Sequence, residues 1–161
     1  MTAGRARLGL TVGDPAGIGP EIVLKALAHA DVPAADWVVY GSKEVLDQCA
    51  SALKLPALAA SGASLVDVGG SAVDMGAVSK EAGRQAATAV IRAAEDALKG
   101  DLAGLVTAPL NKEAMHDAGF DYPGHTELLA HVAKTPNVEP RVASVASWIS
   151  SPKRRSGLSD P

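Results

Sequence analysis

The sequence predicts an α/β fold in which helices cover a parallel-rich sheet. Short apolar runs alternate with segments of helical periodicity along most of the chain, and this alternation is typical of parallel strands joined by helices. Glycine, proline or serine stands at most boundaries between these segments, where turns and helix caps require them. The 161 residues suffice for one domain with its own core. Aromatic residues make up only 3%, so small aliphatic side chains must supply the packing.

The first half of the chain contains three predicted strands and two predicted helices. An apolar strand over 7–12 ends at a Gly-Asp-Pro turn. A helix follows from Pro20 to about His29, because proline fits the first helical position without losing a hydrogen bond. The second strand covers 37–40, and Ser42 is a suitable N-cap for the next helix. A shorter third strand is predicted over 64–68, followed by a loop over 69–77.

The second half of the chain continues the alternation of helices and strands. Ser79 is predicted to cap the longest helix, which Gly100 ends. Small residues recur along one face of this helix, at Ala82, Ala86, Ala89, Val90, Ala93 and Ala97. A fourth strand is predicted over 102–107, after which Pro109 leads into a helix over 111–118. Thr126 is a candidate cap for a last helix that runs to Ala133.

Composition excludes several classes of partner. The formal net charge is −3 and 20% of the residues are charged, so no basic face indicates nucleic acid or an anionic membrane. The apolar run behind Arg5 and Arg7 is too short for a signal peptide, and no run approaches the roughly 18 residues of a membrane helix. The lone Cys49 indicates a small buried residue. We therefore expect a soluble, cytoplasmic protein without nucleic-acid or membrane partners.

The chain changes character towards its end. Serine, proline and a Lys-Arg-Arg cluster dominate residues 139–161, with only a short apolar stretch at 142–149. Such a composition buries little apolar surface. We expect 1–138 to form the folded part and 139–161 to be poorly ordered.

Two loops contain the residues best suited to binding chemistry. The first, over 13–20, carries three glycines that let backbone approach a ligand, and helix N–H groups that favour an anion. It is neither a Walker A loop nor a dinucleotide fingerprint, and a tight turn without a ligand is the alternative. Asp14 could bind a ligand hydroxyl or only cap the turn.

The second loop follows the fourth strand, at the end where open α/β sheets place ligands. Lys112 is a candidate phosphate or carboxylate contact, with a solvated surface lysine as the alternative. His125, beside Thr126, could donate to a substrate oxygen or phosphate from a helix start, or could simply be exposed. The spacing of the four histidines indicates no zinc pair, and no Ser–His–Asp arrangement can be recognised.

Three segments together resemble the 4-hydroxythreonine-4-phosphate dehydrogenase family of vitamin B6 synthesis. They are Thr-Val-Gly-Asp-Pro-Ala-Gly-Ile-Gly-Pro-Glu at 11–21, Val-Thr-Ala-Pro-Leu-Asn-Lys at 106–112, and Ala-Gly-Phe-Asp-Tyr-Pro-Gly-His-Thr-Glu at 118–127. The Gly-Ile-Gly-Pro-Glu portion is also similar to the opening of isocitrate and isopropylmalate dehydrogenases, whose fold this family shares. The resemblance covers residues 7–138 and implies an isocitrate/isopropylmalate dehydrogenase-like fold.

The resemblance implies an oxidoreductase. Family members use NAD or NADP and a divalent metal (Zn, Mg or Co) to oxidise and decarboxylate a small phosphorylated hydroxy acid, and they form homodimers. His125 and Thr126 match the family's substrate-binding histidine and threonine. Asp14 and Lys112 lie in matching motifs and are further candidate ligand contacts. No cofactor-binding residue can be assigned.

The resemblance also implies a missing metal site. The family's three metal-binding histidines lie beyond Gly-His-Thr-Glu, whereas no histidine follows His131 here. We therefore expect a truncated or frame-shifted product that is inactive alone. The alternatives are a sister dehydrogenase for four-carbon acid-sugar phosphates or aromatic dihydrodiols, and a non-catalytic remnant that binds a phosphorylated ligand.

Overall fold

A computed structural model describes residues 5–135 of the chain. These residues form one four-stranded parallel sheet with five α-helices. The elements in chain order are β1 Arg7–Thr11, α1 Gly19–Ala28, β2 Asp36–Gly41, α2 Lys43–Leu53, a 3-10 helix Leu58–Ser61, β3 Ser64–Asp67, α3 Lys80–Leu98, β4 Gly104–Thr107, α4 Lys112–Asp117 and α5 His125–Ala133. The segment 139–161, which was predicted to be poorly ordered, lies outside the described residues.

The strand order β3-β2-β1-β4 places β1 beside both β2 and β4. The chain therefore moves outward from β1 to β3 and then returns along α3 to the opposite side of β1. The carboxyl ends of β1 and β4 flank the point where this direction reverses. In open α/β sheets, ligands bind outside the strands at such a switch point.

Helices cover both faces of the sheet. On one face, residues of α1 and α2 pack against Leu10 and Val39. On the other, Ala89 and Ala93 of α3 pack against Val38 and Tyr40. Adjacent strand residues thus contribute to opposite cores, as the alternation of side chains along a strand requires. The small side chains of α3 allow this helix to lie close to the sheet.

The structure confirms the α/β class and the approximate position of each predicted helix and strand. Ser42 and Ser79 are the N-caps of α2 and α3, accepting hydrogen bonds from Val45 N at 3.5 Å and Ala82 N at 3.1 Å. Cys49 is buried, as expected. Within residues 5–135, no helix is long and apolar enough to cross a membrane.

Three details differ from the prediction. Helix α5 begins at His125 with Gly124 as its N-cap, so the expectation that Thr126 caps it is wrong: Thr126 already lies in the first turn. The 3-10 helix was not predicted. The fourth strand begins at Gly104 rather than at residue 102, and Leu102 lies in the core cluster that contains Val38.

The first turn of α3 is held by a charged network around Glu81. Its carboxylate accepts hydrogen bonds from Arg84, from Gln85 and from Ser71 N in the preceding loop. The bond from Arg84 is the main cause that lowers the pKa of Glu81 to about 2. Through Ser71, the network therefore links the loop over 69–77 to the first turn of α3.

The contribution of this carboxylate to the free energy of unfolding should be lost in acid. Because the pKa of Glu81 is lower in the folded than in the unfolded chain, its stabilisation is complete above about pH 4.5 and disappears as the pH falls towards 2. We expect Glu81→Gln to lower the urea midpoint at neutral pH, and we expect this difference to shrink on acidification. Urea titrations of both proteins across this range measure it. A difference that does not change with pH would contradict the assignment.

Candidate functional site

The two loops singled out from the sequence meet at the switch point. The segment after β1 and the segment after β4 run side by side, because Thr11 pairs in register with Thr107. The N–H of Asp14 donates to the carbonyl of Pro109 at 2.8 Å. The N–H of Ala108 in turn donates to the carbonyl of Thr11 at 3.1 Å. Backbone hydrogen bonds thus join the two loops.

The glycines of the first loop have a packing role. Gly13 has φ +73°, and a Cβ there would lie 2.7 Å from the carbonyl oxygen of Ala108 and closer still to that of Pro109. A Cβ at Gly19 would overlap the carbonyl oxygen of Val12. Glycine at position 13 therefore lets the first loop lie against the second, and glycine at position 19 lets α1 begin close to the end of β1.

Three backbone N–H groups of the first loop already donate hydrogen bonds within the chain. Those of Asp14 and Gly17 donate to backbone carbonyls, and that of Ala16 donates to Asp14 Oδ1 at 3.0 Å. These three groups are consequently not available to an anion. The contacts favour the interpretation of this part of the loop as a tight turn. They do not involve the first N–H groups of α1.

Asp14 caps the turn and retains a free oxygen. Its Oδ1 accepts from Ala16 N, whereas no residue within 5–135 donates a hydrogen bond to Oδ2. Burial raises the pKa of the Asp14 carboxyl above its ordinary value, and the bond from Ala16 only partly opposes this. The side chain therefore presents one oxygen beside the switch point.

His125 is half-buried and contacts the second loop. Its Nε2 lies 3.1 Å from the carbonyl oxygen of Ala108. Burial lowers the pKa of the imidazole, and the contact with Ala108 opposes that effect more weakly. His125 is therefore held against the second loop by this contact.

The backbone N–H of Asp14 and the ring of His125 thus contact the carbonyls of two consecutive residues, Pro109 and Ala108. Of the four candidate residues, these two both contact the second loop. Thr126 is half-buried and adjoins His125 in the first turn of α5. Lys112 is exposed at the start of α4, and no described residue forms an ion pair with it. His29, His116 and His131 are all exposed.

Two threonines that precede the loops were not among the predicted site residues. Thr11 and Thr107 are register partners, 0% and 2% exposed. Within the described residues, Thr11 Oγ1 is buried without a hydrogen-bond partner. The occurrence of threonine near the end of the first and fourth predicted strands was the available signal.

No group of three or more His, Cys, Asp or Glu side chains within residues 5–135 could hold a metal ion. Asp14 and His125 alone supply too few ligands for a resident divalent cation. The described residues therefore do not fit the metal that the family resemblance implies.

The fold and the paired loops define an α/β chain with an open parallel sheet, a class of fold in which ligands bind at the switch point. Comparison with known proteins identifies the family. Residues 33–146 match the family described as pyridoxal phosphate biosynthetic protein PdxA, and the chain belongs to that family.

Similar proteins are dehydrogenases. D-threonate 4-phosphate dehydrogenase of Salmonella typhimurium is 41% identical over 137 residues, covering 75% of this chain and 42% of that protein. 4-hydroxythreonine-4-phosphate dehydrogenase of Synechococcus sp. is 40% identical over 144 residues, covering 84% and 42%. The crystal structure of a 4-hydroxythreonine-4-phosphate dehydrogenase from Burkholderia phymatum matches with a TM-score of 0.76 at 35% identity, covering 84% of this chain and 46% of that one. The chain spans less than half the length of these relatives.

Proposed function

We propose that the switch-point site binds a small phosphorylated hydroxy acid as part of an NAD- or NADP-dependent dehydrogenase. The observation that carries this proposal is that the backbone N–H of Asp14 and the ring of His125 contact consecutive carbonyls of the second loop, those of residues 109 and 108. This pair lies at the carboxyl ends of β1 and β4, in a chain whose relatives are named as dehydrogenases. Thr126 and Lys112 are the further contacts we propose.

The proposed roles follow from the chemistry of each group. His125 and Thr126 bind and orient the substrate, and Asp14 supplies a carboxylate oxygen that can accept from a ligand hydroxyl. Lys112 contributes a mobile positive charge for a phosphate or carboxylate. A bound nicotinamide would supply the hydride acceptor for oxidation of the alcohol. No step is assigned to a metal, because residues 5–135 do not form a metal site.

Two substrates deserve direct comparison. The relatives are named for D-threonate 4-phosphate and for 4-hydroxythreonine 4-phosphate, and the identities of 41% and 40% do not separate them. Both compounds combine at least one free hydroxyl group, a carboxylate and a phosphate. We propose this shared chemistry as the ligand class, together with a cytoplasmic location and homodimeric assembly.

Calorimetric titration of the purified chain with each compound tests the binding proposal. We expect His125→Ala to weaken binding by about threefold to tenfold, the cost of about 1 kcal/mol for one lost hydrogen bond. His116→Ala is the control, because that side chain is 73% exposed and belongs to α4. Equal affinities for the wild type and His125→Ala would remove the assigned role.

A turnover assay separates an enzyme from a module that only binds. We expect the purified chain to bind ligand without reducing NAD or NADP in the presence of magnesium or zinc, because the described residues supply no metal site. Absorbance of the reduced nicotinamide measures this. Sustained turnover by the chain alone would show that a catalytic site is complete without further protein.

A further inference from the structure

We infer that the loop over 69–77 positions the carboxylate of Asp14, and that Ala16 connects the two. Neither this loop nor the residues that hold it are among the candidate ligand contacts. The inference about the position of the carboxylate depends only on contacts within the chain. Its consequence for a ligand rests on the proposed function.

Helix α3 holds the beginning of this loop. Gln85 Nε2 donates to the carbonyl oxygen of Ser71 at 2.8 Å, and the N–H of Ser71 donates to Glu81 at 3.3 Å. Gly70 has φ +109°, and a Cβ there would overlap the amide of Gln85. Both backbone polar groups of Ser71 are therefore bound to α3, and the neighbouring glycine allows the close approach.

The later part of the loop over 69–77 contacts Ala16. The N–H of Gly76 donates to the carbonyl oxygen of Ala16 at 2.7 Å. Val73 is buried in one apolar cluster with Ala16, together with Val45 of α2 and Ala82 of α3. A hydrogen bond and an apolar contact thus fix Ala16 to a loop that is itself bound to α3.

Ala16 in turn holds the side chain of Asp14. Its N–H donates to Asp14 Oδ1 at 3.0 Å, while its carbonyl accepts from Gly76. Because this hydrogen bond orients the carboxylate, the position of Ala16 sets where the free oxygen Oδ2 lies. Groups that face a ligand depend on such support from residues that do not contact it. Displacement of the loop over 69–77 should therefore displace the free oxygen of Asp14.

Two neighbouring glycines provide a matched pair of variants. Gly69 has φ +67°, and a Cβ there would meet nothing within 4 Å, so Gly69→Ala strains the backbone without a collision. Gly70→Ala adds the overlap with the amide of Gln85. Because that amide is the donor to Ser71, a shift of either partner breaks the contact between the loop and α3. The difference between the two variants therefore reports the loss of this contact.

Carbon-13 NMR of the Asp14 carboxyl group, assigned with Asp14→Asn, tests the positioning. The hydrogen bond from Ala16 lowers the pKa of this carboxyl against the larger effect of burial, so loss of that bond should raise the pKa further. We expect a higher pKa of Asp14 in Gly70→Ala and in the milder variant Val73→Ala, which removes apolar contact with Ala16. Gly69→Ala should keep the wild-type value. An unchanged pKa in the folded Gly70→Ala and Val73→Ala variants would show that residues 14–17 hold the carboxylate alone, and would overturn the inference.

Calorimetric titration with D-threonate 4-phosphate tests the consequence for a ligand. We expect Gly70→Ala and Val73→Ala to weaken binding by about threefold to tenfold, the effect of one hydrogen bond, and Gly69→Ala to bind like the wild type. Unchanged affinity together with a raised pKa of Asp14 would overturn the consequence for the ligand. A wild-type chain that does not bind the compound would overturn the proposed function, while the NMR result would still decide whether the loop positions Asp14.

Discussion

Substitution of Gly13 by alanine should destabilise the chain by about 2–5 kcal/mol. Two separate costs contribute. The φ of +73° at this position lies in the left-handed region, which costs a residue with a Cβ about 1–2 kcal/mol. The new Cβ would also lie 2.7 Å from the carbonyl oxygen of Ala108 and closer to that of Pro109, and overpacking of this kind costs about 1–3 kcal/mol.

Two other glycines separate these costs. Gly119 has φ +87°, and a Cβ there would meet nothing within 4 Å, so Gly119→Ala reports the backbone cost alone. Gly104 has an ordinary φ, and its Cβ would make a normal contact of 3.4 Å with Leu8, so Gly104→Ala reports neither cost. Urea denaturation of the three variants should rank Gly13→Ala as the least stable. If it proved no less stable than Gly119→Ala, the close approach of the two loops would be disproved.

The same substitution should disturb the site. The crowded oxygen of Ala108 is the one that contacts His125, and the crowded oxygen of Pro109 accepts from Asp14. Displacing these carbonyls should move the backbone at Asp14 and the ring of His125. The sequence left open both close approach of a ligand and a tight turn for the glycine of the Gly-Asp-Pro segment. We attribute it to the packing of the two loops, which positions the candidate site.

Local signals were sufficient to predict most of the fold. Ser79 and Gly100 bound the long helix because capping depends on residues within one turn of the helix end. The 3-10 helix Leu58–Ser61 was missed because one turn is too short to show a period. Thr126 was chosen as a cap because threonine often fills that role, but the structure starts α5 at His125, whose ring also contacts Ala108.

The site was predictable only in part. The sequence identified both loops, because glycine and proline mark turns after apolar runs. It did not reveal that Asp14 and His125 contact neighbouring carbonyls, since the Asp14 contact depends on the parallel register of Thr11 with Thr107 and the His125 contact on the position of α5. Register between strands far apart in the chain is set by tertiary packing, for which a single sequence carries no local signal. The role of Ala108 was hidden for the same reason, because its side chain takes no part.

Substitution of Gly83 by alanine should also destabilise the chain, by about 1–3 kcal/mol. In an open helix the same change stabilises by about 1 kcal/mol, because alanine is the better helix former. Gly83, however, is buried in α3, and a Cβ there would overlap the backbone carbonyl of Ala114 in α4. Since the obstacle is backbone rather than a flexible side chain, α4 must move away from α3.

The sign of this effect tests the packing of the two helices. Chemical denaturation that showed Gly83→Ala to be as stable as the wild type, or more so, would mean that α3 and α4 do not approach so closely. A second readout links the packing to the site, because α4 begins at Lys112, directly after the loop whose carbonyls hold Asp14 and His125. Displacement of α4 should therefore weaken phosphate binding under conditions in which the variant is still folded. Lys112→Met, which removes the charge without moving the helix, should weaken phosphate binding while leaving stability almost unchanged.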